Sequence, residues 1–326
     1  MILVTGASGH LGNVLVRGLV HQGRDVRVLV RRLDQPALRG LKVDVALGDV
    51  LDPESLADGC RGCTMLYHSA ALISTLNVDR AVLRRVNIEG TRNLLAAARR
   101  EGIGRFIYVS SVEALDLTPT TSPISSPCFD GTHALMEYGK TKAEATRLVI
   151  EASGDLHTAI GIPSGLIGPF DFGTSRTVSM VRQFLARRLP AYVDGAFDFA
   201  DVRDVAEGLI SIGERGEPGA AYFLTGHLIS LPEIMIMLEE ISGVRRPRLK
   251  APYPAALLYA GLSAAAGKVT HRMPLFTPNS LRILQTSPLF DLTESNRVLG
   301  YRPRPMRETL EDTVAWVRGG VTQETV

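Results

Sequence analysis

The twelve residues from Met1 to Gly12 constrain the fold more than any other stretch of the chain. A short apolar run, Ile2 to Val4, enters a glycine-punctuated turn, Thr5-Gly6-Ala7-Ser8-Gly9-His10-Leu11-Gly12, which opens an apolar-periodic segment. That order reads as buried strand, tight loop and helix N-terminus. Gly6 permits a turn where a side chain would clash, Gly9 lets backbone N–H groups approach a phosphate, and Gly12 lets the helix pack on the strand. The free N–H groups and the positive end of the helix dipole then form an anion site. Thr5, Gly6, Ser8, Gly9, His10, Leu11 and Gly12 are therefore candidate cofactor contacts. A glycine-rich turn with no ligand would look the same locally. The strand–helix alternation that follows argues for a dinucleotide.

A first helix runs from Leu11 to about His21, with Gly23 as its stop signal, and Asp25 to Val30 reads as a second strand. In a dinucleotide fold the end of this strand meets the adenosine ribose, where a carboxylate would bind the hydroxyls of NAD. Here Val30 is followed by Arg31 and Arg32. They remove the repulsion of a 2′-phosphate and supply bidentate donors for it, so NADP (NADPH) is expected in preference to NAD. Strand three, Val43 to Leu47, runs into Gly48-Asp49-Val50, a natural acceptor for the adenine amino group. Strand four, Thr64 to Tyr67, leads into His68-Ser69-Ala70-Ala71, small enough for a cofactor to lie along the backbone. His68 itself reads as a hydrogen-bonded core residue rather than a base.

A long helix, Asp79 to Arg100, carries Asn87, and strand five, Phe106 to Val109, delivers Ser110 and Ser111 to the sheet edge where ligands bind. The Thr-, Ser- and Pro-rich segment Asp116 to His133 is a long loop suited to lining a substrate. Tyr138 opens another helix, through about Ser153, and His157 to Ile162 closes a six- or seven-stranded parallel sheet. Beyond Pro163 the alternation loosens. Phe197 to Ala200, a helix from Val202 to about Gly213 and Ala220 to Leu224 are expected to return to the main sheet; Leu231 to Trp316 is mostly helical and interrupted by prolines. The expected architecture is α/β, a Rossmann doubly wound parallel sheet with a small, mostly helical C-terminal substrate lobe. The Rossmann domain spans 1–165, with 190–225 returning to its sheet, and the lobe takes 166–189 and 226–326.

Composition excludes several classes. Hydrophobic residues make up 45% of the 326 and charged residues 21%, which suits a packed core rather than a disordered chain. A net charge of +2 with scattered arginines gives no nucleic-acid footprint. Met1 running into a core strand, three cysteines and the lack of about 18 consecutive apolar residues lead to an expectation of a cytoplasmic chain with no transmembrane segment. The apolar stretch Ala251 to Ala266 suits a core helix, a hydrophobic pocket wall or peripheral membrane contact. Cys60 and Cys63 form a Cys-x-x-Cys without a second pair, so no metal site is expected.

The chemistry rests on three residues. Tyr138 and Lys142 are four apart and project from one helical face. Tyrosine, with a reference pKa of about 10, is a poor acid or base near neutrality unless a neighbouring ammonium favours the phenolate. Ser111 can hold the substrate oxygen and share the proton. Together the three suit general acid–base catalysis of carbonyl/alcohol interconversion, with the hydride supplied by the cofactor.

At this point the chain resembles the extended short-chain dehydrogenase/reductase family over essentially its whole length. Thr5 to Gly12 matches the family's T-G-x-x-G-x-x-G, Tyr138 and Lys142 its Y-x-x-x-K, Ser111 its catalytic serine and Asn87-Ile88-Glu89-Gly90-Thr91 its N-x-x-G-T. The resemblance implies catalytic roles for Ser111, Tyr138 and Lys142. It also implies cofactor contacts from Asp49, Val50, Ala70, Ala71, Asn87, Tyr138, Lys142 and Pro163. Sugar-nucleotide epimerases and dehydratases of the family present Arg and Asn where this chain has Ile162 and Gly165. The segment Ile162 to Pro169 is instead similar to that of dihydroflavonol-reductase-like enzymes and 3β-hydroxysteroid dehydrogenases, which act on bulky, largely apolar alcohols and ketones, although Ile162 departs from both patterns. Sugar-nucleotide epimerisation or dehydration is the runner-up. Members that bind NADP without turnover and act as regulators typically lose the Tyr or Lys, and both are kept here. The resemblance also implies a homodimer through the helices Asp79–Arg100 and Tyr138–Ser153, though the first carries an arginine-heavy outer face.

Overall fold

The computed structural model describes residues 1–73, 79–115, 122–132, 134, 136–173, 175–270, 278–285 and 288–319. Residues 116–121 and 133 of the expected substrate-lining loop lie outside the described residues. The apolar runs become strands β1 (Ile2–Thr5), β2 (Val26–Val30), β3 (Asp44–Leu47), β4 (Met65–His68), β5 (Arg105–Val109) and β6 (His157–Pro163). Between them lie helices α1 (His10–His21), α2 (Pro53–Cys60), α3 (Arg80–Arg84), α4 (Gly90–Arg100) and α5 (Glu137–Glu151). The helix expected over Asp79–Arg100 runs without a gap from Arg80 to Arg100 and contains a π-helical turn, Arg85–Glu89, which carries Asn87. Then follow β7 (Gly165–Ile167), α6 (Arg176–Leu185), β8 (Ala196–Asp201), α7 (Val202–Arg215), β9 (Ala221–Leu224) and β10 (His227–Ser230). The chain ends in α8 (Leu231–Ser242), α9 (Tyr253–Thr270), α10 (Pro278–Ile283), α11 (Thr293–Leu299) and α12 (Met306–Val317).

The main sheet has the order β3-β2-β1-β4-β5-β6-β9, with every pairing parallel. The order reverses between β1 and β4, which places the ligand crevice at their carboxyl ends. Both faces of the sheet are covered, so its central strands are unbroken apolar runs. Leu3, Val4, Val28, Leu66, Phe106 and Ile160 have no exposed surface. Helices α1 and α7 cover one face, and α2, α4 and α5 cover the other. On α3 and α4, Arg84 pairs with Glu144 at 2.8 Å and Arg99 with Asp155 at 2.9 Å. Part of the arginine-heavy face is thus tied to α5 and the turn beyond it.

One sequence expectation is corrected here. Ala196–Asp201 does not join the main sheet; it is the middle strand of a separate sheet, β10-β8-β7, while Ala221–Leu224 pairs with β6. Periodicity identifies a strand but carries no information about its partner. Phe199 settles the matter by packing with Ile167, Val181, Phe184, Ile234 and Leu238 into the core of the lobe. The C-terminal segment is locked back onto α7. Arg304 Nε donates to Asp204 Oδ1 at 2.7 Å, and the Tyr301 hydroxyl donates to the Thr225 carbonyl at 3.0 Å. Cys60 and Cys63 are core residues, and burial pushes the Cys60 thiol up to about 12, away from thiolate chemistry. No described helix is long and apolar enough to cross a membrane.

Candidate active site

At the end of β1 the chain turns through Gly6 at φ +73°, a conformation that glycine alone adopts cheaply. A Cβ on Gly6 would stand 2.6 Å from the Ala70 nitrogen, and one on Gly12 would stand 2.1 Å from the Gly6 carbonyl oxygen. The loop is therefore drawn tight between α1 and the segment after β4. Gly9 caps α1 with no side-chain hydrogen bond, and the first turn holds no acid. Uncapped N–H groups at the positive end of a helix fit a pyrophosphate, so the residues present suit a dinucleotide. His10 turns its side chain inward, Nε2 donating to the Pro169 carbonyl at 2.8 Å, and leaves only its backbone to the loop. Asn13 Nδ2 donates to the carbonyls of Gly9, His10 and Phe170, fastening the loop to the start of the lobe.

The other expected cofactor residues line the same edge of the sheet. Arg31 and Arg32 are exposed just beyond β2. Asp49 Oδ1 accepts from the Leu51 N–H at 2.9 Å, and the Val50 carbonyl accepts from Asn93 Nδ2 at 3.1 Å. Ala70 and Ala71 are half-buried after β4, Ser8 is half-buried in the loop, Leu11 is buried on α1, and Pro163 is buried at the end of β6. Asn87 lies on the π-helical turn, with its side-chain amide turned to Leu72 and Thr141. Its Oδ1 accepts from Leu72 N–H at 2.7 Å, while its Nδ2 donates to the Leu72 carbonyl and to Thr141 Oγ1. The amide thus braces the segment after β4 against α5.

Ser111, Tyr138 and Lys142 are brought together at the end of β5. Ser111 caps a short 3-10 turn, Val112–Ala114, its Oγ accepting from the Glu113 N–H at 3.1 Å. That turn meets the first turn of α5 backbone to backbone: a Cβ on Gly139 would be 2.1 Å from the Glu113 carbonyl oxygen. The close approach brings the Tyr138 hydroxyl beside the Ser111 side chain. Burial, and then the Glu113 carboxylate, push the phenol's pKa up, and only the Ser111 side chain works the other way. The phenol keeps its proton.

Lys142 Nζ donates to the Tyr108 hydroxyl and the Val109 carbonyl, both at 2.6 Å, and burial pulls its pKa down to about 7. From there a polar chain runs back to the glycine loop. The Tyr108 ring packs on His68 with centroids 5.5 Å apart, His68 Nε2 lies 3.0 Å from Thr91 Oγ1, and His68 Nδ1 lies 2.8 Å from Thr5 Oγ1. Thr91 spends its own proton on the Asn87 carbonyl, so its oxygen accepts and His68 is the Nε2–H tautomer. Burial, with the Lys142 charge, holds His68 down at about 3, which makes it a neutral core bridge, as its place in the sequence suggests.

Glu113 is the residue that sequence reasoning missed. Its Oε2 is buried without a hydrogen-bond partner, and burial lifts its carboxyl to about 7, with Arg176 of α6 opposing that shift. The only signal was its position two residues after Ser111, and nothing in the spacing alone separates it from a solvated turn residue.

Comparison with known proteins gives the family of the chain. Residues 2–224 match the NAD dependent epimerase/dehydratase family. The chain is 37% identical over 327 residues to "Sterol demethylase protein B" of Methylococcus capsulatus, covering 97% of this chain and 98% of that one. It is 33% identical to a 4-hydroxy-2-methyl-3-oxo-4-farnesyl-3,4-dihydroquinoline-1-oxide ketoreductase of Stigmatella aurantiaca, over 79% of this chain and 78% of the other. Among solved structures, gox2253 superposes with a TM-score of 0.84 at 32% identity, covering 98% of both chains. The chain therefore belongs to the NAD-dependent epimerase/dehydratase family and is an NAD(P)-dependent oxidoreductase of the extended short-chain dehydrogenase/reductase type.

Proposed function

We propose that the protein is an NADP-dependent reductase of a ketone or aldehyde on a largely apolar substrate, and that it oxidises the alcohol in reverse. The observation that carries this reading is the convergence of Tyr138 and the buried Lys142, one turn apart on α5, with Ser111 at the end of β5, where Gly139 packs on the Glu113 carbonyl and Lys142 Nζ bonds the Val109 carbonyl. The nicotinamide, when bound, supplies the hydride. Ser111 Oγ holds the carbonyl oxygen, and Tyr138 gives that oxygen its proton. Lys142, on the next turn of α5, would hold the nicotinamide ribose. The glycine loop from Gly6 to Gly12 holds the pyrophosphate, and Arg31 and Arg32 take the 2′-phosphate.

The apolar substrate class draws on the two positions where sugar-nucleotide enzymes present Arg and Asn. Ile162 is fully buried, and a Cβ on Gly165 would lie 2.9 Å from the Phe197 ring and 3.0 Å from that of Phe199. A polar side chain has no room at Gly165. The names of the relatives, a sterol demethylase protein and a farnesylated-quinoline ketoreductase, point the same way. The runner-up, a sugar-nucleotide epimerase or dehydratase, draws on Arg176, whose charge acts on Glu113 in the site. Challenging the purified protein with NADPH and hydrophobic ketones and aldehydes, and in parallel with UDP- and dTDP-sugars, tests the two directly. Ketone-dependent NADPH oxidation is the expected result; an epimerised nucleotide sugar would overturn it.

Glu113 gives this reading a pH signature. Above about pH 7 its carboxyl is ionised, and the charge opposes a phenolate on Tyr138. Alcohol oxidation starts from that phenolate. In Glu113→Gln the charge is gone, so the rising limb of the oxidation rate should move to lower pH by about one unit. A limb that stays in place would show that Glu113 does not act on Tyr138.

A further inference from the structure

We infer that the outer face of α9, with the basic segment leading into it, is a docking surface for an anionic lipid bilayer. On this helix the lobe core takes Ala256 and Ala260, which are 7% and 0% exposed. The opposite side offers Leu258, Tyr259 and Leu262 at 67, 64 and 63% exposure, and Leu249 just before the helix is 66% exposed. Pro254, Ala255 and Ala265 continue the same outward stripe. Isolated exposed leucines are ordinary, but several large apolar side chains along one helix face mark a contact surface.

Charge identifies the occupant. Residues 241–270 contain five Lys and Arg and no Asp or Glu, against a whole-chain net charge of only +2. Arg245, Arg246, Arg248 and Lys250 are all exposed. Arg246 is paired with Glu239 at 3.3 Å and Lys250 with Asp194 at 2.5 Å, while Arg245 and Arg248 form no ion pair among the described residues. Two of these four cations, Arg245 and Arg248, are therefore left uncompensated where the apolar face begins. An apolar stripe flanked by basic residues seats in the boundary between headgroups and acyl chains and is drawn there by acidic lipid. A second copy of the chain fits poorly, because a two-fold contact would set this basic segment against itself. The inference rests on the surface alone and is independent of the substrate assigned to the site.

The test is co-sedimentation of the full chain with vesicles of phosphatidylcholine alone and of phosphatidylcholine mixed with phosphatidylglycerol. Binding to the mixed vesicles should exceed that to phosphatidylcholine by about tenfold and weaken as salt is raised. Leu258→Asp with Leu262→Asp should abolish it while circular dichroism and the melting temperature stay unchanged, since both side chains face solvent. Arg245→Glu with Arg248→Glu, an independent variant, should remove the preference for phosphatidylglycerol. No sedimentation with either vesicle would overturn the inference, as would undiminished binding by both variants. So would light scattering that shows a dimer split by the leucine pair, because the face would then be a protein interface.

Discussion

Replacing Tyr138 with Phe should reduce turnover of the carbonyl substrate by about a hundred- to ten-thousandfold, the range expected for loss of a positioned general acid. NADPH affinity should barely change. The phenol contributes its proton only as the carbonyl oxygen gains charge, so its loss is felt in the transition state and not in cofactor binding. The ring should keep its place, because Tyr138 is 8% exposed and Gly139 holds that turn of α5 against the Glu113 carbonyl. Rapid-mixing measurement of NADPH oxidation, alongside fluorescence titration of the cofactor, separates the two effects. A variant that kept most of its rate would move the acid elsewhere, and Glu113, the other protonatable group beside Ser111, would be the first place to look.

Arg31→Asp should erase or reverse a preference for NADPH over NADH. The change removes a charge-assisted donor and sets a carboxylate where the 2′-phosphate would lie, a difference of roughly 1–3 kcal/mol, or about five- to 150-fold in relative affinity. The side chain is exposed beyond the carboxyl end of β2, so the substitution should leave the fold intact. Isothermal titration with both cofactors decides it. Equal affinities in the unaltered protein, or tighter binding of NADH, would remove the 2′-phosphate from the reading of Arg31 and Arg32.

Much of the fold was legible because its determinants are local. The turn at Gly6 and the close approach at Gly12 need residues without side chains, and the strands of a sheet covered on both faces must be apolar throughout. Those demands leave marks that can be read one segment at a time. Tyr138 and Lys142, four apart on one helix, were legible as a pair for the same reason. Their surroundings were not. That Lys142 donates to Tyr108 and Val109, and that His68 joins this cluster to Thr5, depends on strands β1, β4 and β5 lying side by side.

The same limit explains the strand that changed sheets and the residue that was missed. Alternation made Ala196–Asp201 a strand, but Phe199 could choose the lobe over the main sheet only once α6 and α8 stood opposite it. Glu113 has nothing unusual in its neighbours along the chain; it is held near neutrality by burial that Tyr138 and α5 create. The sequence by itself determined the backbone pattern, the tight glycine loop after β1 and the placing of Tyr138 and Lys142 on one helical face, because each depends on residues within one or two turns of each other. Only the tertiary structure decided what those groups feel, since desolvation and charge act through space between segments far apart in the chain.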